Sequence, residues 1–287
     1  MFFKGKIVAA VFAQVAYTVL KLAGWKRKTV LANAKHVAGA VPNADSKTSP
    51  DYNILLKNLT RHASELLFCF GTFKKLPHDF SAYPCRVDGW DFALDEAAVP
   101  VLEKMRSGGI FLTPHYANYE AMGPWLCRLG IPLVASYIPV KPNWLNNILE
   151  RKIRAVNGKS YSVDARTPRD FLRILNDGKL FCLLSDQDSR IPSAIDGTFL
   201  DRPANVNPLP DFLLKHRPQT PIYICWIEEK NRVRELHAIE VASSAHVSVV
   251  NTQFNKWLEQ RIAENPNLWY GFTHRRFYSR SPEIYGK

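Results

Sequence analysis

Gly108-Gly109-Ile110-Phe111-Leu112-Thr113-Pro114-His115-Tyr116-Ala117-Asn118-Tyr119-Glu120 is the stretch on which the reading of this chain turns. A short apolar run after a glycine pair reads as a buried strand. Pro114 closes the run and favours an extended or turn conformation beside it. A helical pattern follows from Ala117 to Leu129. In open α/β sheets, ligands bind in the crevice beyond the carboxyl ends of the strands, and His115 falls at such an end.

The same alternation extends along the chain. Ile131 to Ile138, Leu180 to Ser185 and Ile222 to Ile227 read as further buried strands, like Gly109 to Thr113. Asn143 to Val156, Pro168 to Asn176 and Pro208 to His216 read as the helices between them, and Tyr52 to Phe70 and Val247 to Asn265 as outer helices. That pattern predicts an α/β fold with a mixed, largely parallel central sheet flanked by helices. No internal repeat interrupts it.

The spacing of His115 and Glu120 carries chemistry. Five residues along a regular helix turn about 500°, so the two side chains diverge by roughly 140° if both are helical. They can meet only if His115 lies on the turn before the helix. A histidine held by a carboxylate keeps the tautomer needed to take a proton from a hydroxyl. A histidine that caps a helix or is satisfied in the core has the same local look, and the residues alone leave both readings open.

Acidic residues also follow the run Leu180 to Ser185, as Asp186-Gln187-Asp188. An Asp-x-Asp pair suits a divalent cation in a metal-dependent glycosyltransferase, and it suits equally a structural or substrate-positioning turn. No Gly-x-Ser-x-Gly elbow, phosphate-binding loop or dinucleotide fingerprint is present, so no motif supports an acyl-serine intermediate.

The N-terminus reads as an anchor. Ile7 to Leu20 is apolar and uncharged, with Lys4 and Lys6 before it and Lys21, Lys26, Arg27 and Lys28 after it. It lacks a convincing cleavage site and is shorter than the roughly 20 residues that cross a bilayer, although Lys21 can snorkel. Spanning, interfacial and core-helix placements all fit. If the helix spans, the heavier basic cluster on its C-terminal side sets the rest of the chain in the cytoplasm. Pro42 to Pro50 is a polar, proline-bounded loop, so the expected division is 1–41 for anchor and linker and 42–287 for the catalytic domain.

Composition bounds the partners. The 287 residues carry a net charge of +12, with 46% hydrophobic and 22% charged residues, which is the profile of a folded chain that meets an anionic partner. Nucleic acid is a poor fit because no binding motif accompanies the charge. The five cysteines form no Cys-x-x-Cys pair and read as buried thiols in a reducing compartment.

Four motifs in order resemble the bacterial late acyltransferases of lipid A biosynthesis, within the lysophospholipid acyltransferase-like superfamily. They are the N-terminal anchor, His115-Tyr116-Ala117-Asn118-Tyr119-Glu120, Asp186-Gln187-Asp188 followed by Gly197-Thr198-Phe199 through Asn205, and Trp269-Tyr270 with His274-Arg275-Arg276-Phe277. The resemblance implies transfer of a fatty acyl chain from an acyl carrier protein or coenzyme A thioester to a hydroxyl of a lipid A precursor or related glycolipid, with no cofactor and no metal. His115 would be the general base and Glu120 would orient it, with Asp186, Gln187 and Asp188 at the substrate. The family carries an arginine beside a tyrosine where this chain has Tyr137-Ile138-Pro139-Val140-Lys141. Lys141 or Arg154 would supply that charge beside Tyr137, and Arg275 is a further basic candidate. Localisation at the bacterial inner membrane, with the domain on its cytoplasmic face, follows from the same resemblance, and a catalytically silent lipid-binding protein is the remaining alternative.

Overall fold

The computed structural model describes residues 2–38, 49–136, 141–241 and 247–286. The loop expected at Pro42 to Pro50 falls mostly outside them, as do Tyr137 and Ile138 at the end of the second expected strand.

The chain opens with three helices, α1 (Phe2–Leu22), α2 (Arg27–Val37) and α3 (Tyr52–Phe73). A short hairpin, β1 (Cys85–Val87) and β2 (Trp90–Leu94), leads through α4 (Val99–Met105) into β3 (Gly109–Thr113). From there α5 (Tyr119–Arg128), β4 (Leu133–Ser136) and α6 (Asn143–Ile148) precede three two-residue strands, β5 (Ala155–Val156), β6 (Lys159–Ser160) and β7 (Ser162–Val163). Next come α7 (Pro168–Asn176), β8 (Leu180–Leu184), the hairpin β9 (Ile195–Phe199) and β10 (Arg202–Val206), and α8 (Leu209–His216). The long hairpin β11 (Ile222–Lys230) and β12 (Val233–Val241) is followed by α9 (Val247–Glu264) and a tail of single turns.

Eight strands form one sheet in the order β1-β2-β12-β11-β3-β8-β4-β7. Only β1 with β2 and β11 with β12 pair antiparallel; the other five neighbours are parallel. The sheet is therefore mixed and largely parallel, with helices on both faces. Along β3, Ile110 and Leu112 join the apolar cluster that includes α7, α8 and α9, whereas Phe111 joins the one that includes α4 and α5. Covering both faces is why this strand is an unbroken apolar run rather than an alternating one. All five cysteines are free thiols.

The element expected from Asn143 to Val156 is shorter than its pattern. α6 ends at Ile148, a wide helical turn covers Leu149–Ile153, and Ala155–Val156 is strand. Asn157 and Gly158 adopt left-handed φ of 52° and 77° between Val156 and its partner Lys159. This is the Asn-Gly hairpin turn, and its first strand takes the residues expected to close the helix. β12 is not an apolar run, because Arg234, Glu235, His237 and Glu240 interrupt it.

Before β3 the backbone is crowded. Gly109 has φ +135°, and a Cβ built there would lie 2.7 Å from the Pro221 carbonyl oxygen and 2.9 Å from the Tyr223 ring. Only glycine occupies that backbone region readily. Gly109→Ala is expected to lose about 1–3 kcal/mol of stability, read as a lower midpoint in chemical denaturation.

Candidate active site

Strand register builds the centre of the site. Parallel pairing sets Thr113 of β3 beside Leu184 of β8. His115 and Asp186 each stand two residues beyond, so the two face one another across the carboxyl edge of the sheet. The His115 Nδ1 lies 2.8 Å from Asp186 Oδ1, and the His115 backbone N–H donates to Asp186 Oδ2 at 2.8 Å. The indole N–H of Trp269 donates to the same Oδ2 at 2.8 Å.

The C-terminal tail closes the turn from the other side. The Tyr270 N–H donates to the His115 carbonyl at 2.8 Å, and the Ala117 N–H donates to the Leu268 carbonyl at 2.9 Å. Ala117 takes φ +48°, which swings the chain from the sheet into α5. Behind it, Asn118 donates to Glu65 of α3 at 3.3 Å, and Glu65 is held by the buried Arg234 at 2.7 Å.

Electrostatics follow from this geometry. Burial opposes charge on His115, but the Asp186 carboxylate and the hydrogen bond to it outweigh burial, with Glu120 adding, so its pKa is raised. Burial likewise opposes the Asp186 carboxylate. The His115 charge, the ring and backbone hydrogen bonds of His115, and the Trp269 hydrogen bond reverse that and hold its pKa low. A proton on Nδ1, assigned from the carboxylate partner, leaves the Nε2 lone pair on the open side. There the Gln187 amide nitrogen stands 3.4 Å from Nε2. The Tyr119 ring packs edge-on at 5.0 Å, and the His274 ring lies 5.5 Å away. Burial, then the His115 charge, lowers the pKa of His274.

Glu120 is not the hydrogen-bond partner of His115. Its carboxylate pairs with Arg154 at 3.1 Å, and Arg154 also meets Glu150 at 3.2 Å. The reason is positional. Asp186 already occupies Nδ1, and Glu120, inside the first turn of α5, faces a cleft on that helix's other side. Glu120, Arg154, Tyr119, Gly123, Tyr161 and Cys182 line this narrow, mainly apolar cleft of about 80 Å³. A larger cavity, about 600 Å³, opens at the opposite end of β3 around Gly108, Asn176 and Arg217, away from the histidine.

Asp188 turns from Asp186 to the tail, where its Oδ2 accepts from the Ser279 N–H at 3.1 Å, the Ser279 hydroxyl at 2.9 Å and Arg190 at 3.2 Å. The two carboxylates thus face different partners rather than one shared point. Among the described residues no cluster of three or more His, Cys, Asp and Glu side chains is arranged to hold a metal. Lys141 is exposed, and Arg275 lies over the rings of Tyr278 and Tyr285 at 5.7 and 5.8 Å. Tyr137 lies outside the described residues.

The arrangement suits proton abstraction from a hydroxyl or water by Nε2, with Asp186 stabilising the imidazolium. Backbone amides at this turn are largely spent. Those of His115, Tyr116 and Ala117 all donate within the fold, and Ala121 in the first turn of α5 donates to the Asn118 carbonyl at 3.1 Å, so the Tyr119 and Glu120 amides at the start of α5 are the remaining donors. The sequence pairs His115 with Glu120, whereas the ring's carboxylate partner in the structure is Asp186. The missed signal was two apolar runs of equal length, each with a polar residue two positions beyond its end.

A protein-family model described as bacterial lipid A biosynthesis acyltransferase matches residues 6–279. No curated protein matches the chain.

The pair sets a pH window for stability. His115, with its pKa raised by folding, contributes fully below its unfolded value of about 6.5 and loses that contribution as pH rises through the folded value. Asp186, with its pKa lowered, contributes above its unfolded value of about 3.9 and loses it as pH falls. Asp186→Asn should therefore lower the denaturation midpoint most between about pH 4 and 6.5. The His115 ring titration, followed by NMR, should shift to lower pH in the same variant.

Proposed function

This chain belongs to the bacterial lipid A biosynthesis acyltransferase family, and from that premise we propose that His115 is the general base of an O-acyl transfer from a thioester to a glycolipid hydroxyl. The family is one of acyltransferases, so the reaction has an acyl donor and a lipid acceptor. The observation that carries the proposal is the His115–Asp186 contact of 2.8 Å at the carboxyl edge of the sheet, with Nε2 turned to the open side beside Gln187.

The acceptor hydroxyl gives its proton to Nε2 as its oxygen attacks the thioester carbonyl. The carbonyl π pair moves onto oxygen, and the Tyr119 and Glu120 amides at the start of α5 donate to that charge. When the tetrahedral centre collapses, the carbon–sulfur bond breaks and the thiol leaves with the proton from His115. The products are an ester and a free thiol, and no covalent enzyme intermediate forms. Asp186, not Glu120, orients the ring, and Trp269 orients Asp186. The cleft beside Tyr119 accepts the start of the acyl chain and opens to take the rest, with the Glu120–Arg154 pair at its wall.

The donor is an acyl carrier protein or a coenzyme A thioester, and the acceptor is a lipid A precursor or a related glycolipid. Residues 1–41 serve as the membrane anchor and linker and 42–287 as the catalytic domain, on the cytoplasmic face of the bacterial inner membrane. Lys26, Arg27 and Lys28 favour anionic headgroups by about 1 kcal/mol each. One exposed apolar helix, Gly5–Leu22, supports this reading.

Lipids from cells expressing wild type should contain a glycolipid heavier by one acyl chain, which is missing with His115→Ala. Purified His115→Ala should stay folded, with a melting temperature lowered by the loss of the Asp186 partner, and should transfer about 10²–10⁴-fold more slowly at temperatures where it is fully folded. A loss of transfer that only tracks the unfolded fraction would assign His115 a structural role. The acid limb of the wild-type pH–rate profile should lie above the ordinary histidine value, and Asp186→Asn should move it down further than Glu120→Gln does, because Asp186 is the stronger influence.

A further inference from the structure

α1 is apolar on its outside. The stripe turned towards the body is Gly5, Ala9, Ala13, Ala16, Tyr17 and Leu20, all buried or half-buried and recurring at the three- and four-residue steps of one helix face. Ile7, Val8, Val11, Val15, Val19 and Leu22 face outward and are 45–84% exposed. Small residues on the docked stripe let the helix approach α3 closely, as helices do when packed in lipid.

The helix is held along its length. The Lys6 ammonium sits 4.1 Å above the Trp90 ring, whose other contact is the buried Arg234 guanidinium at 3.4 Å. The Phe12 ring meets Phe68 of α3 at 5.2 Å. Beyond the helix end, the Trp25 carbonyl accepts from the Tyr52 hydroxyl at 2.8 Å, at the start of α3. α1 therefore runs antiparallel to α3.

That docking is incompatible with a bilayer crossing. By length and composition alone the helix could cross over Gly5–Leu22, so the obstacle is what it is docked to. A crossing would also draw in the β1–β2 hairpin beside Lys6, with the Lys75–Asp88 ion pair of 3.1 Å and the Arg86–Asp91 pair of 3.7 Å. Ionised groups at that depth are strongly disfavoured. An apolar face flanked by Lys21, Lys26, Arg27 and Lys28 is instead the pattern of a helix lying in the interface of an anionic bilayer.

The end of α1 is also close to the chemistry. α2 starts at Arg27, and its Asn33 donates to the carbonyls of Phe272 at 2.8 Å and His274 at 2.7 Å. His274 is the neighbour of His115.

We propose that α1 lies edgewise in one leaflet of an anionic bilayer without crossing it, and so holds the mouth of the His115 site at headgroup depth. This rests on the reading that the protein acts on a membrane lipid. An acceptor then reaches Nε2 sideways from the same leaflet, with its acyl chains still in hydrocarbon.

The test is topological. The full chain carries one epitope at each terminus in bacterial spheroplasts, and protease is added from outside. Both epitopes should survive until the cells are lysed. Cleavage of the N-terminal epitope alone would show a crossing helix and overturn the proposal. In parallel, flotation with phosphatidylglycerol vesicles should show at least a tenfold loss of binding for Val11→Asp/Val15→Asp, with an unchanged melting temperature and unchanged transfer to a detergent-dispersed acceptor. Equal binding by the variant, or a wild type that forms a dimer through this face and ignores vesicles, would overturn it. Vesicle binding with both epitopes protected but no acyl transfer would sink the proposed reaction and leave this geometry standing.

Discussion

The Asp186 carboxylate is the constraint from which the functional end of this molecule is built. A fully buried carboxylate is tolerable only where donors surround it. Asp186 has the His115 ring, the His115 amide and the Trp269 indole. Those three donors come from the turn after β3 and from the tail, so one charge ties together segments more than 150 residues apart. The turn cannot relax without stranding that charge, and the histidine cannot rotate without losing its partner.

This explains why polar residues collect behind an apolar sheet. Glu65 of α3 meets Arg234 of β12 and Asn118 at the start of α5, so the outer helix and the sheet together set the position of the turn. Arg276, also buried, donates to the Asn205 carbonyl at 2.8 Å and packs over the Phe199 ring. Burial lowers its pKa to about 10, which still leaves it charged at neutral pH beside Asp186 and Asp188. The tail motif thus acts as a clamp on the turn that carries His115 rather than as a loose basic surface.

Separating the two carboxylates separates two tasks. Asp186 holds the His115 ring and raises its pKa, whereas Glu120 and Arg154 form a pair at the wall of an apolar cleft. The histidine therefore stands between a polar face near Gln187 and His274 and an apolar one under α5. A group that joins a hydroxyl to a hydrocarbon chain needs those two environments at one point.

Much of the architecture was legible locally. The apolar runs at Ile110 and Leu180 and the breaker at Pro114 specify buried strands and a turn, because burial on both faces demands continuous apolar sequence. The apolar stretch and the basic flanks of α1 were equally plain. Which carboxylate meets His115 was not, because five residues of spacing argue only about neighbours in the chain. Parallel register between β3 and β8 decided it, by aligning Thr113 with Leu184 and so His115 with Asp186. The docking and orientation of α1 against α3 likewise depended on tertiary contacts, since Lys6 on Trp90 and Tyr52 on Trp25 join residues whose proximity no local pattern encodes.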